Sequence, residues 1–594
     1  MGKPSFSFVM IARNEAKTLP RLLSSLSEFK ARGGTTVVVD TGSTDNTAQI
    51  ARDWGCIVEE VGERFLLTVS EEEAKAINER FCVEGDEPVI KAGDRQFDFA
   101  SARNYANSLS PTNLCWSPDP DEVFTRLDLD AVEKAIADGA DALEYEFIFS
   151  HDAQGLPLIR FRHSKMFDRT KFSWSNIVHE ILSGEGKRAY LPESSVLLEH
   201  FQNHETNRSG YLRGLAIDCF NNPDKDRQSH YFARECMYTG RFHSAIKEFT
   251  NHMAMNRWPA ERSQSAIFIG DCYMSLGQEE TAVRFWHLAI QVNSERREPW
   301  LKLAEHYYRK GDALRTAAYC EASLVIPQSG FYADKAEHYR HVPHEWLYWA
   351  DFRLGNIEKA KEHFDKALAF LPLNSKYLHD YRFFHELPSV SFIVPTLGRP
   401  EGLQRCLDSI KALNYPQELI DVCVLDEAEP TVPQKVAKGV EQTKGEWKVY
   451  AANDTEFTPD SLMIAYLSSI ENQAGLIAFH SEELLPDRGN AYAHFMIRRD
   501  LLPSLEDGQI FSTRYTHVGC DNWLSAQCEK LGVAHHEEKA IIKHNHFSHG
   551  AEWDWVYERG WSHAEEDRAT LKKDLERLKA SDCWPSDSWP DVVK

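Results

Sequence analysis

Over the first sixty positions, short apolar runs alternate with stretches in which leucines recur every three or four residues. Residues 6–11 are almost wholly apolar. Leu19, Leu22, Leu23 and Leu26 then follow helical spacing up to Gly33 and Gly34, and residues 35–39 are apolar and β-branched again. A second helical stretch at 48–54 leads to Ile57 and Val58. Strand, helix, strand, helix, strand in this order predicts an α/β domain with a parallel sheet and right-handed crossovers. Ligands of such sheets bind beyond the carboxyl ends of the strands. Polar clusters stand there: Ala12-Arg13-Asn14-Glu15 after the first strand, and Asp40-Thr41-Gly42-Ser43-Thr44-Asp45 after the second. Gly42 permits a tight turn, and Asp40 is placed to hydrogen-bond a ribose or a base. A helix-capping turn is the competing reading, because Ser43 and Asp45 are also good N-caps.

A further apolar run at 113–116 leads into Ser117-Pro118-Asp119-Pro120-Asp121-Glu122. In an extended chain, alternate residues share a side, so Asp119 and Asp121 can face one point. Two hard oxygen ligands at a strand end suit Mg²⁺ or Mn²⁺. The rival is an acidic turn of Pro-Asp-Pro-Asp. Upstream, Phe97-Asp98-Phe99-Ala100-Ser101-Ala102-Arg103-Asn104 opens a helix. An arginine on its first turns suits a diphosphate, although a surface arginine fits the same position.

Taken in order, Ile-Ala-Arg-Asn-Glu, Asp-Thr-Gly-Ser-Thr-Asp, Asp-Phe-x-x-x-Arg-Asn and Asp-x-Asp-Glu resemble family 2 glycosyltransferases of the GT-A fold, over about residues 5–205. The resemblance implies an inverting transfer from a nucleotide-diphosphate sugar, with a divalent metal, Mn²⁺ or Mg²⁺, held by the Asp-x-Asp. It places Ala12, Arg13, Asn14, Glu15, Asp40, Arg103, Asp119 and His179 around the donor. Asp40 would meet the nucleoside, Asp119 the ribose or metal shell, and Asp121 the metal. Val178-His179-Glu180 is similar to a triplet in a tetratricopeptide-associated branch of the family. An inverting transfer needs a carboxylate to take the acceptor's proton. Glu180 is the candidate, and an ordinary surface His-Glu pair is the alternative. His200, ending the apolar run 196–200, would be the third metal ligand unless it is a satisfied core histidine. Two features depart from the family pattern: an acidic, helix-like insertion at about 62–96, and the prolines at 118 and 120.

From about residue 228 the periodicity is helical throughout. A phrase of glycine, small residue and aromatic recurs at Gly240-Ala245-Phe249, Gly277-Ala282-Trp286 and Gly355-Ala360-Phe364, with a weaker copy at Gly311-Thr316-Cys320. The glycines lie 37, 34 and 44 residues apart. That is close to the 34-residue tetratricopeptide period. Such an array forms a surface for a peptide or another domain, or serves only as a spacer.

Strand-like runs return at 390–395, 420–425 and 447–451. Asp426-Glu427-Ala428-Glu429 stands where the first copy has Asp-Thr-Gly-Ser, and Asn453-Asp454-Thr455-Glu456 where it has Asp-x-Asp. This looks like a second, altered GT-A-like domain, with Asp454, Glu456, Asp521 and His546 as its site residues. Without the glycine turn it reads as a binding-only copy, with an active one as the alternative. The organisation expected is 1–215 GT-A, 216–385 helical repeats, 386–550 second GT-A-like domain, and 551–594 a charged helix bearing Trp553, Trp555 and Trp561, then a tail.

Composition adds bounds. The chain has 594 residues, too many for one core, with 42% hydrophobic and 27% charged residues and a formal net charge of -24. The charge disfavours a polyanion partner without excluding a local basic groove. Twelve scattered cysteines without a C-x-x-C pair suit a reducing cytosol. No run is long enough to span a membrane, and the apolar start meets Arg13 too soon for a signal peptide. The reading is a cytoplasmic sugar transferase whose acceptor hydroxyl or thiol lies on a protein, a glycan or a modified nucleobase such as that of hydroxymethylated phage DNA. Its rival is a non-catalytic repeat scaffold with degenerate sugar-nucleotide pockets.

Overall fold

The computed structural model describes residues 4–83, 86–151, 157–201, 210–329, 331–427, 431–481, 492–545, 558 and 562–580. The chain forms two compact units, residues 1–339 and 340–594, and the division falls inside the helical stretch 216–385.

In the first unit, strand Phe6–Ala12 is buried at every position. Phe6, Phe8 and Met10 pack with Leu19, Leu22 and Leu23 of the helix Leu19–Ser25, while Val9 and Ile11 meet Ala102 and Ala106 of the helix Phe99–Ser108. A strand covered on both faces must be apolar throughout, which is why no polar alternation marks it. Thr35–Asp40 and Leu114–Trp116 flank it in parallel, and Ile57–Glu60 lies parallel beyond Thr35–Asp40. Past Leu114–Trp116 the sheet becomes mixed. Pro157–Asp168 and Ala142–His151 form an antiparallel pair, Val196–His200 runs parallel to Ala142–His151, and Glu122–Leu127 is antiparallel to Val196–His200. The parallel expectation therefore holds for four strands. The acidic insertion is a helix, Glu71–Phe81, whose Ser70 and Glu73 form a reciprocal cap, between the two strands of a ribbon in the chain, Leu66–Thr68 paired with Arg95–Phe97.

Helices follow in antiparallel-hairpin order: Asp226–Tyr238 with Phe242–Ala254, Pro259–Ser275 with Glu279–Val292, and Arg297–Arg309 with Ala313–Leu324. Gly240, Gly277 and Gly311 join the pairs, each with φ between 74° and 78°. A side chain there would meet nothing within 4 Å, so the backbone conformation, not space, calls for glycine. Ala245, Ala282 and Thr316 are fully buried where the paired helices approach.

The second unit begins with one more such hairpin, His341–Leu354 and Ile357–Phe370, joined by Gly355. Its sheet runs in the order Ile420–Leu425, Val390–Pro395, Trp447–Tyr450, Phe495–Arg498, Leu476–Ser481, Ala534–His544, Thr455–Phe457. Successive pairs are parallel, parallel, antiparallel, antiparallel, parallel and antiparallel. The first unit has the same sequence of directions from Thr35–Asp40 to Glu122–Leu127. The helix Ala564–Lys579 contributes Leu571 and Leu575 to the core that holds Trp523 and Leu524. Trp553, Trp555 and Trp561 lie outside the described residues. Among the described residues no helix is long and apolar enough to cross a membrane.

Candidate functional site

The loops that follow the first two strands are tied together side chain to backbone. Asn14 adopts a left-handed φ of 57°, its amide donates to Ser43 Oγ at 2.9 Å, and its Oδ1 accepts the Thr44 amide at 2.7 Å. The Glu15 amide donates to Thr47 Oγ1 at 2.7 Å. Arg13 is exposed beside this pair, and Ala12 ends the strand in the core. Asp40 closes the turn that follows its strand. Its Oδ1 closes the turn by accepting the amides of Gly42 and Ser43, at 2.9 and 2.7 Å, while its Oδ2 is buried without a hydrogen-bond partner among the described residues. Gly42 holds φ 98°, which only glycine adopts readily.

The acidic motif is a turn between two strands, not a strand. Leu114–Trp116 stops at Trp116, whose indole donates to Tyr145 Oη at 2.9 Å in the core, and Glu122–Leu127 starts after the motif. Pro118 and Pro120 supply no amide for pairing and fix φ, so the ladder breaks there. As a result Asp119 and Asp121 have different partners. Asp119 pairs with Arg103 Nη2 and, at 2.6 Å, with Lys165 Nζ. Lys165 also holds buried Glu122 at 2.5 Å, and Arg103 Nε donates to Glu180 Oε1 at 2.7 Å. Three carboxylates thus share two buried cations. Burial works against charge on Asp119; Arg103 and Lys165 nevertheless hold it far below the ordinary carboxylate range. Glu122 absorbs the imbalance: burial pushes it up to about 7, with Asp119 adding to the rise. Burial would lower Arg103, but Asp119 and Glu180 outweigh it and raise its pKa. Arg103 Nη1 is buried and makes no hydrogen bond among the described residues. Glu15 belongs to the same neighbourhood, its pKa raised by burial first and then by Asp121 and Asp119.

Asp121 meets His200 instead, Oδ2 to Nε2 at 3.1 Å, and His200 Nδ1 contacts the Phe149 carbonyl at 3.0 Å. A carbonyl on one ring nitrogen leaves the other to bind, the arrangement seen around metal-ligating histidines. Burial lowers the ring's pKa, while Asp121 and the Phe149 carbonyl outweigh it and raise it. This pair fits a divalent ion. Asp119 fits only as an outer neighbour, because both its oxygens are engaged.

Glu180 sits at the end of a contorted loop, with Asn176 at φ 78° and His179 at φ 51°. The His179 ring packs between Tyr211 and Tyr231, 5.3 and 5.1 Å between centroids. Asp218, from the helix Tyr211–Asn221, accepts the amides of Ile177 and Val178 at 2.8 and 3.1 Å and so fixes the approach to Glu180. Burial raises its pKa to about 6 against those two donors. Neither Asp218 nor Lys165 stood out in the sequence reading. The available signals were a lone acid in Leu215-Ala216-Ile217-Asp218-Cys219 and a lysine within an otherwise strand-like run.

Residues 7–64 match the family model for glycosyl transferase family 2. That segment carries Ala12, Arg13, Asn14, Glu15 and Asp40. No curated protein matches the chain. Solved structures similar to it include a crystal structure of MamA, 17% identical, covering 28% of this chain and 91% of that one, at a TM-score of 0.23. Another is the C-terminal part of a TPR repeat-containing protein from Cytophaga hutchinsonii, 14% identical, covering 28% and 61%, at 0.24. YrrB, titled a TPR protein with an unusual peptide-binding site, is 13% identical and covers 29% and 81%, at 0.22.

Outside the segment matched to the glycosyl transferase family, the second unit repeats the Asp121–His200 geometry. Glu122 is paired in register with His200, and Thr455 with His544. The Phe201 amide donates to the Asp121 carbonyl at 3.0 Å, and the Asn545 amide to the Asp454 carbonyl at 2.9 Å. Asp454 is therefore the counterpart of Asp121, and His544, 3.4 Å from it, the counterpart of His200. This corrects the alignment of Asp454-x-Glu456 with Asp119-x-Asp121. Glu456 lies on the strand Thr455–Phe457 and binds Arg405 and Asn545, at 3.1 and 2.7 Å. His546 lies outside the described residues. Asp521 stands in the first turn of the helix Cys520–Lys530, its pKa raised by burial. The amides of Thr516, His517 and Val518 before it all donate to Asp567 of the helix Ala564–Lys579, each at 2.9 Å. The device matches Asp218 on Ile177 and Val178. Asp426, by contrast, is exposed where Asp40 is buried, and Glu427 pairs with Lys438; Ala428 and Glu429 lie outside the described residues.

Proposed function

We propose that the first sheet domain, about residues 1–215, transfers a sugar with inversion from a nucleotide-diphosphate sugar to an acceptor hydroxyl or thiol. Arg103 carries the reading. Two of its nitrogens are held by Asp119 and Glu180, while Nη1 is buried without a partner among the described residues. A guanidinium so fixed is already ordered for a diphosphate oxygen that reaches Nη1. The unpartnered Oδ2 of Asp40 suits an N–H or O–H of the nucleoside, within the segment that matches the glycosyl transferase family. Asp121 and His200 would hold Mn²⁺ or Mg²⁺, which when bound supplies Lewis-acid stabilisation of the leaving diphosphate. Glu180 takes the acceptor's proton as the new bond to the sugar forms and the nucleoside diphosphate departs. Arg103 keeps that carboxylate in place and screens it from the donor's negative charge.

The second unit is read as a related domain that keeps its Asp454–His544 pair but binds rather than transfers, since Asp426, which stands where the first unit has Asp40, is exposed. The helical hairpins serve as a surface for a protein partner, the common use of tetratricopeptide-like arrays. The test is a panel of nucleotide sugars screened for Mn²⁺- or Mg²⁺-dependent hydrolysis by the full chain. Hydrolysis of one donor, lost on Asp121→Ala, supports the reading; no hydrolysis of any donor with either metal overturns it.

A further inference from the structure

Away from the sheet, three consecutive helices of the first unit bring Asp226, His252 and Glu261 together, with one ligand atom of each within 4.8 Å of the others. Asp226 opens the helix Asp226–Tyr238, His252 lies in the last turn of Phe242–Ala254, and Glu261 is in the first turn of Pro259–Ser275. His252 and Glu261 are each 1% exposed, and Asp226 is half-buried.

The surroundings set up this group from both sides. Glu261 and Ser265 are one turn apart on one helix and reach the two nitrogens of the same ring. Ser265 Oγ is 2.9 Å from His252 Nδ1, and Glu261 Oε2 is 3.7 Å from His252 Nε2. Asp226 and His230 are likewise one turn apart, and His230 Nδ1 meets Ser265 Oγ at 2.8 Å. Groups outside the cluster engage Oε1 of Glu261: Tyr332 Oη donates to it at 2.9 Å, and Arg227 Nε lies 3.6 Å from it. Oε2 is the oxygen that faces His252.

At 3.7 Å, Nε2 and Oε2 stand at ion-pair distance, beyond a normal hydrogen bond. Ligands on a tetrahedral ion with bonds near 2.0–2.1 Å stand about 3.4 Å apart. Ser265 has one hydroxyl proton for two imidazoles. If it donates to His230, it accepts from His252 Nδ1–H, and Nε2 then presents a lone pair to a carboxylate. Two carboxylates also meet here in a mostly buried place, with Arg227 beside Glu261 and Arg234 acting on His230. A divalent cation would take the Nε2 lone pair and join the two carboxylates.

We propose that Asp226, His252 and Glu261 bind one divalent transition-metal ion of the zinc class, stapling three helices of the array. Imidazole with two carboxylates favours such an ion over Ca²⁺ or Mg²⁺, and the half-buried Asp226 leaves an approach from solvent. The site is independent of the pair Asp121–His200.

The full chain, loaded with Zn²⁺ and desalted, is assayed for bound zinc and melted with and without chelator. Wild type and Asp121→Ala are expected to retain one equivalent more than Glu261→Gln or His252→Gln, and to melt several degrees higher before chelation than after. Asp226→Asn, at a half-buried position, is expected to weaken retention while the far-ultraviolet spectrum is unchanged, which covers a failure of the buried variants to fold. Equal zinc in wild type, Glu261→Gln and Asp226→Asn overturns the proposal, as does a retained equivalent that only Asp121→Ala removes.

Discussion

Arg103 Nε donates to Glu180 Oε1 at 2.7 Å, so the candidate proton acceptor and the candidate diphosphate anchor form one rigid pair. Replacing Glu180 by Gln keeps its size and removes its basicity. Turnover is expected to fall by roughly 10² to 10⁴ with donor affinity almost unchanged. Loss of affinity with turnover preserved per bound enzyme would make Glu180 a ligand or a support for Arg103 instead.

Asp121→Ala is expected to abolish metal-dependent transfer and sugar-nucleotide hydrolysis while the fold survives. Asp121 is half-buried on a turn, and among the described residues its side chain pairs with His200, at 3.1 Å, so little packing depends on that side chain. Circular dichroism and hydrolysis at saturating Mn²⁺ check this together. Wild-type turnover in the variant would remove Asp121 from the site.

Asp218 reaches the reaction only through the backbone it holds. Asp218→Asn loses one of two accepted amides and lets the 176–180 loop shift, with an expected drop of roughly 10- to 100-fold in kcat and little change in KM. A purely structural role would show instead as a lower melting temperature at unchanged kcat.

Glu122 makes the stability of the first unit pH-dependent. Its folded pKa, about 7, lies above its ordinary 4.5, so folding favours the protonated acid. That contribution is complete below about pH 4.5 and is lost as pH rises through 7, with a slope of at most about 1.4 kcal/mol per pH unit. Asp218, raised to about 6, has the same sign. Thermal melts between pH 4.5 and 7.5 should show the wild type gaining less at high pH than Glu122→Gln. Parallel curves for the two proteins would contradict the assignment.

For the second unit, Asp454→Ala and Asp521→Asn are expected to alter acceptor use or stability while donor hydrolysis remains. If either removes a hydrolytic activity that Asp121→Ala leaves intact, the second unit is a transferase in its own right.

Local pattern determined a good deal. A strand buried on both faces must be apolar along its length, so Phe6–Ala12 and Thr35–Asp40 were plain in the sequence, and with them the strand-end positions of Asn14 and Asp40. The repeat glycines were equally plain, because a left-handed backbone leaves few alternatives to glycine. Tertiary structure alone decided the partners. Two prolines turned an apparent strand into a bend and separated Asp119 from Asp121, and no local rule places Lys165, 46 residues on, between Asp119 and Glu122. The pairing of His200 with Asp121, and of His544 with Asp454, follows from the register between strands distant in the chain. Asp218 and Asp567 gained their roles in the same way. Each is an unremarkable helical acid until folding brings a bent loop's free amides against it, and buried amides must find an acceptor.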